Sequence, residues 1–492
     1  MDDPLAPFWN ARGIALVGAS AQPVKLSYGV LQNLVRSGYP GRIYPVNPRG
    51  GEILGLPVYR SLAEVPDPVD LAILMVPAEQ SVAALEACGR RGIRAAVLVA
   101  SGFAERGGEG REREEALRAI ARRYGLRFIG PNAVGLIDTR IPLNTTFIHR
   151  MPEPGPVGLV SHSGAVCGGL LDWGAAVGIG FSRVISLGNQ ADIDLADALL
   201  SLMADPFTQV VAAYVEGIRD GRRFLEAARR VSERKPLVIL RAGRTPEGAR
   251  AVASHTGALA LPERIFRAVA RAVGAIVVDS LEALMDAALV LAMQPPPPGP
   301  RAVILTNAGG PAAIGADHLA RSGFQLASLS MDTQEALRKV VPPQAFTGNP
   351  VDLMGGPQPS HYAQALEVLL RAPEVDAVMA LFVPQAVTSA REVAEAIGHA
   401  ASGSPRPVVG VIFGGTEALA AARVLHRAGV PHFLTPCRAA FALGVLREWA
   451  EIRRRLQAPI ASAQPIDRGC ATAVLQEAIA WGKDRLDPQA GA

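Results

Sequence analysis

Cysteine is scarce in these 492 residues. The four, Cys88, Cys167, Cys437 and Cys470, show neither the paired spacing of a metal site nor the framework of a disulfide-stapled domain. The other histidines, among them His149, His318, His361, His399, His426 and His432, show no ligand spacing with acids or cysteines, so no metal is expected. Aromatic residues are 5% of the chain, and Trp9, Trp173, Trp449 and Trp481 are too dispersed to form a stacking platform for nucleic acid. A large excess charge is also missing. The net charge is +4, and basic residues are interleaved with acids, as in REREEALRAIARR, which excludes the basic stripe of a nucleic-acid binder. No run reaches the roughly 18 apolar residues of a membrane span. The opening MDDPLAPFWN lacks the basic and apolar regions of a signal peptide. These absences lead us to expect a soluble, cytoplasmic protein with no membrane or nucleic-acid partner. Lysine is nearly absent too: Lys25, Lys235, Lys339 and Lys483 stand against 45 arginines. Hydrophobic residues at 49% and charged residues at 19% fit a well-buried protein of about three domains.

Apolar runs alternate with amphipathic stretches throughout, the pattern of parallel sheets flanked by helices. In the first segment the expected strands are Ile14 to Gly18, Arg42 to Asn47, Leu71 to Pro77, Ala95 to Ser101 and Arg127 to Asn132. Ligands of such folds bind beyond the carboxyl ends of the strands. The first strand closes on Gly18-Ala19-Ser20, and Lys25 leads into a helix. A turn of small residues before a helix is expected to offer backbone N–H groups to an anion, and Lys25 lies in this phosphate loop. The turn has one glycine where an NAD site would show GxGxxG, and the second strand ends in Asn47-Pro48-Arg49 where such a site would place an acid. The expectation is a phosphate-bearing nucleotide other than NAD.

After MPEPGP, read as a linker, the strand Gly158 to Gly164 runs into a helix from about Ala165 to Val177. Ser163, Gly164 and Ala165 then open a helix whose unpaired N–H groups suit a phosphate. The strand VVAAYVE ends at Glu216. A later stretch, SHTGA, places His255 among small residues. A histidine in such a loop is by itself an ordinary surface residue. A neutral imidazole nitrogen is also a good nucleophile near neutral pH, and a carboxylate such as Glu216 can orient it. We therefore expect His255 to carry a phosphoryl group on a mobile loop. The proline run Gln294 to Pro300 is expected to be a stiff spacer. Beyond it, RAVILTNAGG repeats the strand, small polar turn and helix of GLVSHSG, with no counterpart of His255. Cys167, just inside a helix, is expected to be packed rather than reactive.

Taken together, VGAS, Lys25, YPVNP, SGFAE and GPN, then SHSGAV, SLGNQADID, YVEGIRDGRRF and SHTGALA, then NAGGP and NPVDL, resemble the ADP-forming (NDP-forming) acyl-CoA synthetases, the acetate-CoA ligase alpha-subunit-like relatives of succinyl-CoA synthetase. The resemblance runs from about Phe8 to the C-terminus. It implies an α/β fold: a Rossmann-like CoA-binding domain over residues 1–148, two flavodoxin-like domains with parallel sheets at 149–294 and 300–456, and a linker helix and tail at 457–492. CoA would be held by Gly18, Ala19, Ser20, Lys25, Pro45, Val46, Asn47, Val76, Ser101, Phe103, Glu105 and Asn132. Phosphate would sit on Ser163, Gly164 and Ala165, with His255 as the phosphohistidine and Glu216 as its partner. The implied activity interconverts acyl-CoA, ADP and phosphate with a carboxylic acid, CoA and ATP. Two departures stand out. His162 occupies the place of the usual glutamine, and the ATP-grasp domain that would bind ATP/ADP with Mg is not in the chain, so a separate ATP-grasp beta subunit is expected. The alternative is a CoA-binding regulatory or scaffold protein without turnover, which the presence of both His255 and Glu216 opposes.

Overall fold

The computed structural model describes residues 3–256, 262–458 and 472. Three sheets are built on one plan, and all lie in the unit Met1–Arg453; Arg454–Ala492 forms a second unit. In the first sheet the strands Arg42–Val46, Gly13–Val17, Leu71–Leu74, Ala95–Leu98 and Arg127–Ile129 lie side by side in that order, all parallel. The three middle ones are short apolar runs buried almost throughout, as helix-covered parallel strands must be. Chain order reverses direction between Gly13–Val17 and Leu71–Leu74, so the crevice beyond their carboxyl ends is the place for a ligand.

The second sheet runs Ile276–Val278, Leu237–Arg241, Val210–Val215, Pro154–Ser161, Phe181–Ser186, Gly135–Asp138 and Leu143–Asn144. Its first five strands are parallel, with the switch between Pro154–Ser161 and Val210–Val215. The last two are antiparallel and come from residues that the sequence pattern assigned to the first domain. Gly135–Asp138 covers what would otherwise be the open edge of Phe181–Ser186. The expected linker before Gly158 is likewise part of the sheet, because Pro154, Gly155 and Pro156 begin the strand. Proline is tolerated there at a strand's first residues.

The third sheet runs Gln325–Leu326, Arg301–Thr306, Ala377–Phe382, Val408–Ile412 and His432–Phe433, with Val351–Asp352 pairing Arg301–Thr306. It repeats the same order with its switch between Arg301–Thr306 and Ala377–Phe382. The proline run is anchored at its start. Gln294 donates from Nε2 to Gly429 O at 2.6 Å and accepts from Val408 N at 2.7 Å. The helix expected beyond Gln457 lies outside the described residues, Thr472 apart.

Candidate functional site

At the first switch point the turn after Gly13–Val17 differs from its expected form. The N–H groups of Gly18 and Ala19 both donate to Val46 O, at 3.0 and 3.2 Å, so they hold the turn and are not presented to an anion. Gly18 is required there, since its φ is +88° and a Cβ would lie 2.4 Å from Met75 O. Asn47 clamps the same turn, donating from Nδ2 to Ala19 O at 2.8 Å while its Oδ1 accepts from Arg49 N. Pro45 and Val46 are buried in the sheet. What remains open is the stretch 21–26, wholly exposed, with Ser20 before it. Lys25 stands at the N-terminus of the helix Leu26–Arg36, which no side chain caps. Cationic head and helix terminus thus coincide.

Val76 and Ser101 border the same crevice at the ends of Leu71–Leu74 and Ala95–Leu98. Phe103 is 0% exposed, a core side chain, so only its backbone is left to face a ligand. Glu105 closes its own loop, accepting from Gly102 N at 2.6 Å and Phe103 N at 3.1 Å. It also accepts from Asn189 Nδ2 at 2.5 Å. Burial acts to raise the Glu105 pKa, but the Asn189 amide and the two backbone donors outweigh it and hold the carboxyl below its ordinary range. Asn132, at φ +59°, donates to Asn189 Oδ1 at 3.5 Å.

Asn189 belongs to the loop after Phe181–Ser186, so it carries the first domain's site to the second's. Glu114, almost fully buried, strengthens the tie by accepting from Asn189, Arg118 and Arg219. Arg219 lies three residues after Glu216. Asn189, Glu114 and Arg219 were not singled out in the sequence. The motifs that hold two of them were, as the polar strand-end loops SLGNQADID and YVEGIRD.

At the second switch point Ser163 caps the helix Gly164–Val177, its Oγ accepting from Val166 N at 3.3 Å. Gly164 and Ala165 are its first two residues, and their N–H groups have no place in the helical ladder. A Cβ at Gly164 would lie 2.2 Å from Val134 Cγ2, so only glycine lets the helix start this close to the first domain's chain. Ser161 fixes the turn, donating to Ser163 O at 2.7 Å and accepting from Ser163 N at 3.2 Å. The third domain repeats this hydroxyl clasp. Thr306 donates to Ala308 O and accepts from Ala308 N, at 3.1 and 3.0 Å, before the helix Gly309–Arg321.

Glu216 lies directly beside this turn. Its backbone N–H donates to His162 Nδ1 at 3.0 Å. Tyr214 lies two residues earlier on the same face of the strand, where its hydroxyl feels the Glu216 charge. Burial and the Glu216 charge push that hydroxyl up to about 12. His255 lies one residue before the end of the helix Pro246–Thr256, so its backbone is helical where a loop was expected. Its side chain and residues 257–261 lie outside the described residues. That helix packs beside the single turn Ala104–Arg106, which carries Glu105. Cys167 is buried and its thiol is pushed up to about 12, as fits a packed residue. Among the described residues no cluster of three metal-ligating side chains occurs.

Three family models match the chain: a CoA binding domain over residues 12–139, a succinyl-CoA ligase like flavodoxin domain over 154–291, and a Ligase-CoA domain over 302–457. The alpha subunit of ADP-forming acetate–CoA ligase I from Pyrococcus furiosus is 38% identical over 91% of this chain and 98% of its own length. The chain belongs to the ADP-forming acetate–CoA ligase family. A longer relative, ADP-forming acetate–CoA ligase I of Archaeoglobus fulgidus, is 37% identical over 89% of this chain, which spans 63% of it. A solved structure of the dinucleotide forming acetyl-coenzyme A synthetase 1 of Ca. Korarchaeum cryptofilum, in complex with phosphate and ADP, superposes with a TM-score of 0.88. It is 36% identical, over 93% of this chain and 99% of its own. Membership of this ligase family agrees with the α/β architecture of three doubly wound sheets and with the resemblance carried by the motifs.

Proposed function

We propose that the chain is the CoA-binding and phosphohistidine-bearing subunit of an NDP-forming acid–CoA ligase. One observation carries the reading: Asn189 binds Glu105 at the CoA crevice while the next residue, Gln190, reaches His162 beside Glu216, so one loop joins the two half-sites. On this reading residues 1–148 hold CoA. Lys25 and the terminus of Leu26–Arg36 take its phosphates, with Ser20, Val76, Ser101 and Asn132 lining the crevice.

Phosphate rests on Ser163, Gly164 and Ala165, where the helix dipole favours its charge. A phosphate oxygen attacks the thioester carbonyl, the carbon–sulfur bond breaks, and CoA leaves as thiolate with the acyl phosphate left behind. A neutral nitrogen of His255 then attacks phosphorus. The phosphorus–oxygen bond to the acyl group breaks, releasing carboxylate and leaving phosphohistidine. Glu216 accepts the hydrogen bond from the other ring nitrogen, which fixes the tautomer and stabilises the charge that develops on the ring. Phosphoryl passes last to ADP with Mg on an ATP-grasp partner. Relatives named as alpha subunits support that partner, and a soluble cytoplasmic pool of CoA and nucleotide suits the cycle.

The test is to incubate the purified chain with phosphate and a panel of acyl-CoAs, following intact mass and free CoA. One phosphate per chain with equivalent CoA released is expected for the native protein and not for His255→Ala. Equal phosphorylation of His255→Ala overturns the assignment. A CoA-binding protein without turnover would release no CoA in either.

A further inference from the structure

His162 is 5% exposed, and its two ring nitrogens stand in opposite conditions. Nδ1 accepts from Glu216 N at 3.0 Å and faces the Gln190 amide at 3.4 Å. A backbone amide can only donate, so Nδ1 is the bare nitrogen and the proton is on Nε2. That Nε2 is buried and has no hydrogen-bond partner among the described residues. Burial drives the ring's pKa down to about 3, so it stays neutral. A buried donor without an acceptor is unfavourable, and native interiors rarely leave one.

The internal repeat shows what this position needs for structure alone. Asn307 follows the strand Arg301–Thr306 as His162 follows Pro154–Ser161, and Val383 follows Ala377–Phe382 as Glu216 follows Val210–Val215. Asn307 accepts from Val383 N and donates to Val383 O, both at 2.9 Å. Its amide therefore locks the neighbouring strand end with both of its groups, and the N–H left over is on the same nitrogen that already donates to Val383 O. An imidazole makes only the first of these bonds, because its second nitrogen points away from the first. In the second domain half of that lock is made, by a side chain whose other nitrogen keeps a donor in reserve. The turn it sits in opens the helix at Ser163 on one side and meets the Glu216 backbone on the other.

We propose that His162 is a positioning residue: its Nδ1 sets the backbone at Glu216, and its Nε2–H is reserved for an oxygen of the ligand bound at these strand ends. The proposal rests on the ligase reading above. A neutral donor suits an oxyanion that must later leave, since it adds a bond without adding a fixed charge. Phosphate and the acid's carboxylate share that oxygen chemistry, and the experiment separates them.

His162→Asn reproduces the side chain of the repeat, keeping the lock and removing the Nε2–H; the spare N–H of its amide sits on the nitrogen at the lock, short of the place that the ring's far nitrogen reaches. We expect it to melt with the native protein and to be phosphorylated from acyl-CoA about 100-fold more slowly, the size of effect from removing one oxyanion donor. The loss should fall on kcat or on the KM for phosphate with the KM for acyl-CoA unchanged. His162→Leu, which breaks the lock as well, should also lower the Tm. A His162→Asn protein as fast as the native one overturns the donor role. Independently, the Nε2–H resonance of His162 in native protein labelled with 15N-histidine should move on titration with inorganic phosphate. Movement with acetate alone assigns the bond to the carboxylate, and movement with neither overturns the proposal. If the native chain is not phosphorylated at all, the ligase reading fails, and the titration still decides whether His162 binds an oxyanion.

Discussion

The side-chain amide of Asn189 donates to Glu105 Oε2 at 2.5 Å across 84 residues of sequence, joining the loop beyond Ala95–Leu98 to the loop beyond Phe181–Ser186. A hydrogen bond to a charged acceptor contributes about 1.5–3 kcal/mol when well made. Asn189→Ala should therefore raise the KM for acyl-CoA and lower kcat/KM by about tenfold, with His255 still phosphorylated to full extent. Steady-state CoA release against acyl-CoA concentration checks this. An unchanged kcat/KM removes the loop from the coupling.

The same contact makes a pH dependence. Glu105 is held below its ordinary carboxylate range in the folded protein. Such a group contributes stability that is fully present above the unfolded value of about 4.3 and is lost as pH falls through the lower folded value. Glu105→Gln should leave a smaller drop in Tm on acidification through that window than the native protein shows. Thermal melts from neutral pH downward give the comparison.

Gly18 tolerates no side chain. With φ at +88° and Met75 O 2.4 Å from the point where a Cβ would stand, Gly18→Ala must push the turn away from the strand Leu71–Leu74. A loss of about 2 kcal/mol is expected. Denaturant melts would show it, together with weakened CoA binding by calorimetry.

Ser163→Ala removes the cap of the helix Gly164–Val177, worth about 1 kcal/mol. If the same turn holds phosphate as proposed, the KM for phosphate should rise more than the KM for acyl-CoA. Equal changes in the two would mean that the cap matters only for stability.

Glu216→Gln keeps the backbone bond to His162 but removes the negative charge. Phosphohistidine formation should slow by roughly 100-fold, the lower end of effects on a general-base pair. CoA affinity should be unaffected. Rapid-quench measurement of protein-bound phosphate is the direct check.

Much of this architecture was legible along the chain because it rests on local patterns. Short apolar runs bounded by small or polar turns marked nearly every parallel strand, and Ser163 before Gly164 marked the helix start that suits phosphate. Periodicity and capping act over a few residues, so one sequence is enough to read them. The joining of the half-sites was not legible. Asn189 meets Glu105, and Arg219 meets Glu114 across 105 residues, through polar side chains whose types are common in any surface loop. Nor could the sequence show that Gly135–Asp138 leaves the first sheet to cover an edge of the second, or that the Gly18 and Ala19 amides are spent on Val46 O. His162 is the clearest division between the two. Its place before Ser163 was set by sequence, but its neutrality, its tautomer and its spare donor exist only because folding buries the ring against the Glu216 amide and, among the described residues, brings no acceptor to its other side.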